Sequence, residues 1–100
     1  MVYEIAEIHV RPGSEKDFEA AVQRAVPLFQ RSRGCRSMEL HRTIETPTKY
    51  RLVVGWDAIE DHMVHFRAAP EFQEWRKLVG PFFQSGPPVV DHTLVAVKGF

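Results

Sequence analysis

His62 and His65 stand three residues apart in a stretch that reads as helical, a spacing that can offer two imidazoles to one metal or place two titratable groups on one cavity wall. As a metal site the pair is incomplete. A third ligand is needed, and the nearest carboxylate, Asp61, falls on a different face of the helix. Proton transfer asks for less: a neutral imidazole beside an acidic hydroxyl, in a dry aromatic surround, can take the proton near neutral pH. Trp56 and Trp75 could stack on a planar ring, and Arg67 or Arg76 could receive the anion that deprotonation leaves. Arg76 is the better placed of the two, at the edge of its apolar stripe. Each residue also has a plainer reading, in which the histidines and tryptophans pack in the core and the arginines pair with Glu71 or Glu74 or face water.

Other reactive side chains carry less. Cys35 follows the C-terminal end of a helix, whose dipole raises a thiol pKa, and this argues against a nucleophile. His9, His41 and His92 lie on strands whose register the sequence leaves open. Arg31, Arg33 and Arg36 suit the negative end of the preceding helix.

The elements that must position these groups follow from periodicity. Val2 to Val10 alternates as a strand, with Val2, Ala6, Ile8 and Val10 on one face and Tyr3, Ile5, Glu7 and His9 on the other. Arg11-Pro12-Gly13 ends it. Ser14 opens a helix as N-cap, with Asp17 in an imperfect capping box, and Phe18, Ala21, Val22, Ala25, Leu28 and Phe29 fall on one side. Pro27 projects to the polar side, and Gly34 suits the C′ position. Cys35 to Glu45 and Thr48 to Trp56 read as a hairpin. Asp57 is placed to cap a second helix bearing Ala58, Ile59, His62, Phe66 and Ala69, with His65 on its flank and Glu60, Val64 and Arg67 turned away. Pro70 restarts the helix, setting Phe72, Trp75, Leu78 and Val79 on one face until Gly80-Pro81, and Val89 to Val97 supplies a last strand. The order β-α-β-β-α-β predicts an α+β, ferredoxin-like antiparallel sheet with helices on one face. Apolar residues on both sides of the first and third strands predict a homodimer through the other face.

With 100 residues the chain has room for one domain, and thirteen Lys and Arg balance thirteen Asp and Glu. That balance argues against a nucleic-acid footprint. No run approaches the roughly 20 apolar residues of a membrane span, and the start, Met-Val-Tyr-Glu, lacks the pattern of a secretory leader. A cytoplasmic protein is expected, in keeping with its one cysteine. The sequence has no glycine-rich phosphate loop and no cysteine cluster, so no flavin, haem or metal cofactor is expected.

The run Trp56-Asp57-Ala58-Ile59-Glu60-Asp61-His62, then Phe66-Arg67-Ala68-Ala69-Pro70-Glu71-Phe72-Gln73-Glu74-Trp75-Arg76 and Gly80-Pro81-Phe82-Phe83, resembles the antibiotic biosynthesis monooxygenase family. A looser similarity takes in Arg11-Pro12-Gly13, the first helix and Gly34-Cys35. The resemblance implies a dimeric α/β barrel with a small-molecule pocket between helices and sheet. It also implies oxidation of phenolic or quinol substrates by molecular oxygen without metal or flavin. Trp56, His62, Phe66, Phe72, Trp75, Arg76, Phe82 and Phe83 are then the expected pocket residues. Spacing from Trp56 matches His65 to a histidine common in the family, which makes His65 the expected proton acceptor. The haem-degrading branch of the superfamily uses an Asn, a Trp and a His where this chain has Ala6, Phe66 and Arg76, leaving iron without its usual axial imidazole. Against the monooxygenase stands a non-catalytic dimeric domain of the same fold that binds a small molecule, since fold alone does not carry chemistry.

Overall fold

Strand β1 (Val2–His9) turns Glu4, Ala6 and Ile8 to one side and Tyr3, Ile5 and Glu7 to the other. In the computed structural model, which describes residues 1–100, the first set is buried and continues into Val10. The alternation matches the expected one. What the apolar reading passes over is Glu4, a carboxyl set in a row of core side chains.

Helix α1 (Glu15–Gln30) buries Phe18, Ala21, Val22, Ala25, Leu28 and Phe29, the six residues its period predicts. Ser14 sits at the N-cap, but its hydroxyl makes no capping bond, and the box with Asp17 does not form. The helix is held by its packed face rather than by its cap. Pro27 is exposed, where the carbonyl it frees meets water. Gly34 is not at C′, because α1 ends at Gln30 with Arg31 as C-cap. It forms the later turn into the sheet at φ +74°, and a Cβ there would collide with the Asp61 carboxylate. Glycine is required twice over, by the backbone and by the space.

Strands β2 (Cys35–Arg42) and β3 (Lys49–Trp56) form the expected hairpin, with an irregularity between Cys35 and Ser37. Tyr50, Leu52, Val54 and Trp56 all point into the core. The segment after β3 departs from expectation. Asp57 caps nothing; its carboxylate takes two hydrogen bonds from Arg36, at 2.8 and 2.6 Å. Residues Asp61–Phe66 wind as a π-helical turn instead of an α-helix. Helix α2 (Pro70–Val79) then starts with Pro70 in its first turn, as expected, and runs into a 3₁₀ turn at Gly80–Phe82.

Strand β4 (Val89–Thr93) is shorter than the expected Val89 to Val97. It pairs only with β1, Thr93 lies opposite Tyr3, and β1 begins one residue earlier, so the ladder runs out. Leu94, Val95, Val97 and Phe100 are left exposed. The sheet order is β2-β3-β1-β4, antiparallel throughout, which is the ferredoxin-like α+β arrangement. One sheet face packs with the helices in the core; Tyr3, Ile5 and Val53 lie on the other, only half-buried.

Candidate functional site

Register brings three polar side chains together on the core face. Glu4 of β1 lies directly opposite His92 of β4, and Trp56 ends the neighbouring strand β3. His62 reaches the same point from the π-helical turn. There the Arg67 amide donates to the His62 carbonyl, an i to i+5 bond that widens the coil. In a wider coil, residues four apart stay aligned while residues three apart separate further than on an α-helix. His62 and Phe66 are therefore buried together, and His65 is turned out into solvent.

The Trp56 indole N–H donates to Glu4 Oε1 at 3.1 Å. His62 Nε2 stands 3.3 Å from that same oxygen, and His62 Nδ1 lies 2.8 Å from His92 Nε2. The Trp56 and His62 rings stack with centroids 5.4 Å apart and planes 20° apart. Phe66 closes the cluster from behind, 5.4 Å from Trp56 and 5.6 Å from Phe72.

Burial sets the charges. Glu4 is 5% exposed, and desolvation lifts its carboxyl from 4.5 to about 7, against the opposing pull of the Trp56 hydrogen bond and the Arg67 charge. His62 is 3% exposed, and desolvation, joined by His92 and Arg67, lowers its imidazole from 6.5 to about 4. At neutral pH His62 is a neutral ring with one donor and one acceptor nitrogen. If Glu4 holds its proton, His62 Nε2 faces it bare and Nδ1–H donates to His92. If Glu4 is ionised, Nε2–H faces the carboxylate and the bond to His92 reverses. The chain Glu4–His62–His92 can thus pass a proton by exchanging tautomers, ending at the half-buried His92.

Glu4 and His62 form part of the wall of a cavity of about 720 Å³ between the sheet, α2 and the loop before β4. Ala6, Ile8, Leu52 and Val90 line it from the sheet, and Phe72, Trp75, Val79 and Phe83 from the opposite side. Its volume is in the range of pockets for small molecules. Arg67, Gln73, Arg76 and Lys77 add polar groups.

Of the expected pocket residues, His62, Phe72, Trp75, Arg76 and Phe83 line this cavity. Trp56, Phe66 and Phe82 do not: Trp56 and Phe66 are buried behind the wall, and Phe82 packs edge-on against Phe18 at 6.4 Å. His65 lies apart from them: the π-helical winding leaves it exposed, outside the cavity lining and without a hydrogen-bond partner. Ala6, expected on the apolar face of the first strand but not as a pocket residue, belongs to the floor. Glu4 and His92 were missed, as was the cavity position of Arg67. An acid two residues before Ala6 and four before Ile8 was the available signal for Glu4.

Of the two plainer readings for the arginines, the water-facing one holds: Arg67 and Arg76 are exposed, and neither pairs with Glu71 or Glu74. Glu71 receives Arg31 at 2.9 Å and Glu74 receives Lys77 at 3.6 Å, leaving Arg67 and Arg76 with no carboxylate within 4 Å. No group of three His, Cys, Asp or Glu side chains converges with metal-ligand geometry.

Comparison with known proteins gives a consistent answer. The family model described as antibiotic biosynthesis monooxygenase matches residues 1–78. YczJ, an uncharacterised protein of Bacillus subtilis (strain 168), is 37% identical over 89 residues, covering 89% of this chain and 94% of its own. A crystal structure from Bordetella bronchiseptica, named for antibiotic biosynthesis monooxygenase, is 53% identical with a TM-score of 0.93, over 96% of this chain and 97% of that one. SnoaB, a cofactor-independent oxygenase from Streptomyces nogalater, shares the fold at a TM-score of 0.74 and 18% identity, over 99% and 94% of the two chains.

The shifts of Glu4 and His62 act oppositely on stability. The folded state holds the Glu4 proton more tightly than the unfolded chain does, so this stabilisation is present below pH 4.5 and lost as pH rises to about 7. For His62 the unfolded chain takes the proton first, so stability is full above pH 6.5 and lost as pH falls to about 4. Each contribution is on the order of 3 kcal/mol, and together they nearly cancel. In urea titrations between pH 4.5 and 6.5, Glu4→Gln should gain stability with rising pH relative to wild type, and His62→Gln should lose it. Parallel pH profiles for the three proteins would contradict the assignment.

Proposed function

The chain belongs to the antibiotic biosynthesis monooxygenase family, and from that premise we propose that it is a cofactor-independent monooxygenase oxidising a phenolic, quinol or polyketide-like aromatic molecule. The observation that carries this reading is the contact between a buried carboxyl and a buried neutral imidazole, Glu4 and His62, in the wall of a largely apolar cavity.

The cavity supplies what such a reaction requires. A phenol or anthrone reacts directly with oxygen only after losing a proton, and an anion in an apolar site needs a nearby positive charge. The proton passes to the Glu4–His62 pair and on towards His92. Arg67, which bears electrostatically on both groups and meets no carboxylate, offsets the new negative charge. The carbanion or phenolate gives one electron to molecular oxygen, and the resulting radicals combine into a C–O bond as a peroxide. Return of the proton gives a hydroperoxide; removal of the remaining hydrogen on that carbon as a proton then forms the carbonyl while the O–O bond breaks, and the departing hydroxide takes that proton and leaves as water. One oxygen atom stays in the product as a carbonyl and the other leaves as water, so an anthrone and O₂ yield a quinone and H₂O. Phe72, Trp75 and Phe83 hold the ring and exclude water.

A binding domain without turnover would need no proton path. The core is not collapsed at this point, and His62 meets the side chains of Glu4 and His92 rather than backbone; the second point supports catalysis. The proton acceptor is His62 with Glu4, not His65. We place the reaction in the cytoplasm, where a single free thiol at Cys35 is at home. No helix is long and apolar enough to cross a membrane.

The working unit we propose is a homodimer through the sheet face carrying Tyr3, Ile5 and Val53, with the exposed Leu94, Val95, Val97 and Phe100, which follow the β1 neighbour β4, to add apolar area. Sedimentation at micromolar concentration should find a dimer, and a folded monomer would refute this. For the chemistry, oxygen uptake by metal-free protein on a panel of quinols and anthrone-like compounds identifies a substrate. On it, His62→Ala and Glu4→Gln should lower turnover by about 10² to 10⁴ while His65→Ala leaves it unchanged. Loss in His65→Ala with activity kept in His62→Ala would reverse the assignment.

A further inference from the structure

The proton-transfer reading uses only one of the cavity's three cations. Arg67 bears electrostatically on both Glu4 and His62. Arg76 and Lys77 line the same cavity. They belong to α2, where Gln73, Arg76 and Lys77 lie at i, i+3 and i+4 and share one helix face.

Lys77 is engaged by Glu74, whereas Arg76 has no carboxylate partner. Its guanidinium rests 5.7 Å from the centre of the Phe72 ring, a cation–π contact that orients the fork at the cavity edge. The Gln73 amide one turn back can donate to the same acceptor. The cavity wall therefore carries a carboxyl–imidazole pair from the sheet and π-helical turn and, on α2, an arginine with no carboxylate partner.

We propose that the natural ligand is a hydroxylated aromatic acid: its acidic hydroxyl meets Glu4 and His62, and a permanent carboxylate elsewhere on the ring system is held by Arg76 with Gln73. This deepens the monooxygenase reading and rests on it for the hydroxyl half. A carboxylate is the anion that fits, because the guanidinium fork matches its two oxygens in one plane. The apolar floor of Ala6, Ile8 and Leu52 takes the ring.

The test is anaerobic calorimetry at low ionic strength with three probes: 6-hydroxy-2-naphthoate, its methyl ester and 2-naphthol. Wild type should bind the acid about tenfold or more tighter than the ester, as one charge-assisted pair implies, and high salt should shrink the difference. Arg76→Gln should lose most of that preference while its affinity for the ester is unchanged, and Arg76→Lys should recover only part of it. Equal affinity of wild type for acid and ester would overturn the carboxylate inference and leave the aromatic-ligand reading standing. An undiminished preference in Arg76→Gln would overturn the role of Arg76. Failure of the folded protein to bind any of the three would instead remove the aromatic-ligand reading, and the inference with it.

Discussion

A carboxyl group carried into the core row of a β-strand must either stay neutral or find a charge, because removing a bare carboxylate from water costs more than one marginally stable domain of this size can offset. Glu4 is that group. Alternation fixes its direction: with Ala6 and Ile8 pointing inward, the pleat turns Glu4 inward as well. The surroundings answer this constraint point by point. Trp56 supplies a donor from β3, His62 brings a neutral imidazole from the π-helical turn, and His92 faces Glu4 across the β1–β4 ladder.

Local features of the backbone serve the same end. A regular α-helix after β3 would keep residues 62 and 65 closer to a common face. The wider π-helical winding gives up that arrangement, presenting His62 inward with Phe66 while His65 leaves. The turn itself is anchored at Asp61. Its carboxylate accepts a hydrogen bond from the Ala58 amide, lies 3.5 Å from Arg33, and occupies the space that a side chain at residue 34 would need. The link from α1 to β2 and the placement of His62 are therefore coupled through one glycine. Local π-helical segments are often found at functional positions, and here the reason is geometric.

Much of this was legible beforehand. The buried face of α1, the hairpin, the restart at Pro70 and the ferredoxin-like order all follow from periods of 3.6 and 2 with their breakers, because packing rather than capping decides those elements. The site was only half legible. The cavity positions of Phe72, Trp75 and Arg76 were readable because an amphipathic α-helix reports its own faces. His65 was favoured over His62 because nothing in a single sequence marks where an α-helix widens by one residue. His92 could not be placed without register, and β4 was drawn too long because its end depends on where β1 begins. Glu4 was readable and was passed over: a charged residue in an apolar alternation reads as an interruption until the partners that make it tolerable are seen.

The account turns on where one proton resides. Carbon-13 shifts of the Glu4 carboxyl and nitrogen-15 shifts of the His62 ring, followed through a pH titration, measure this without a substrate. The predicted result is a Glu4 midpoint near pH 7, with His62 neutral down to about pH 4 and its protonated nitrogen switching from Nδ1 to Nε2 as Glu4 ionises. A Glu4 midpoint near 4.5 with a charged His62 ring at neutral pH would mean a permanent ion pair. Such a pair has no vacancy for a substrate proton, and the proposed chemistry would fall with it.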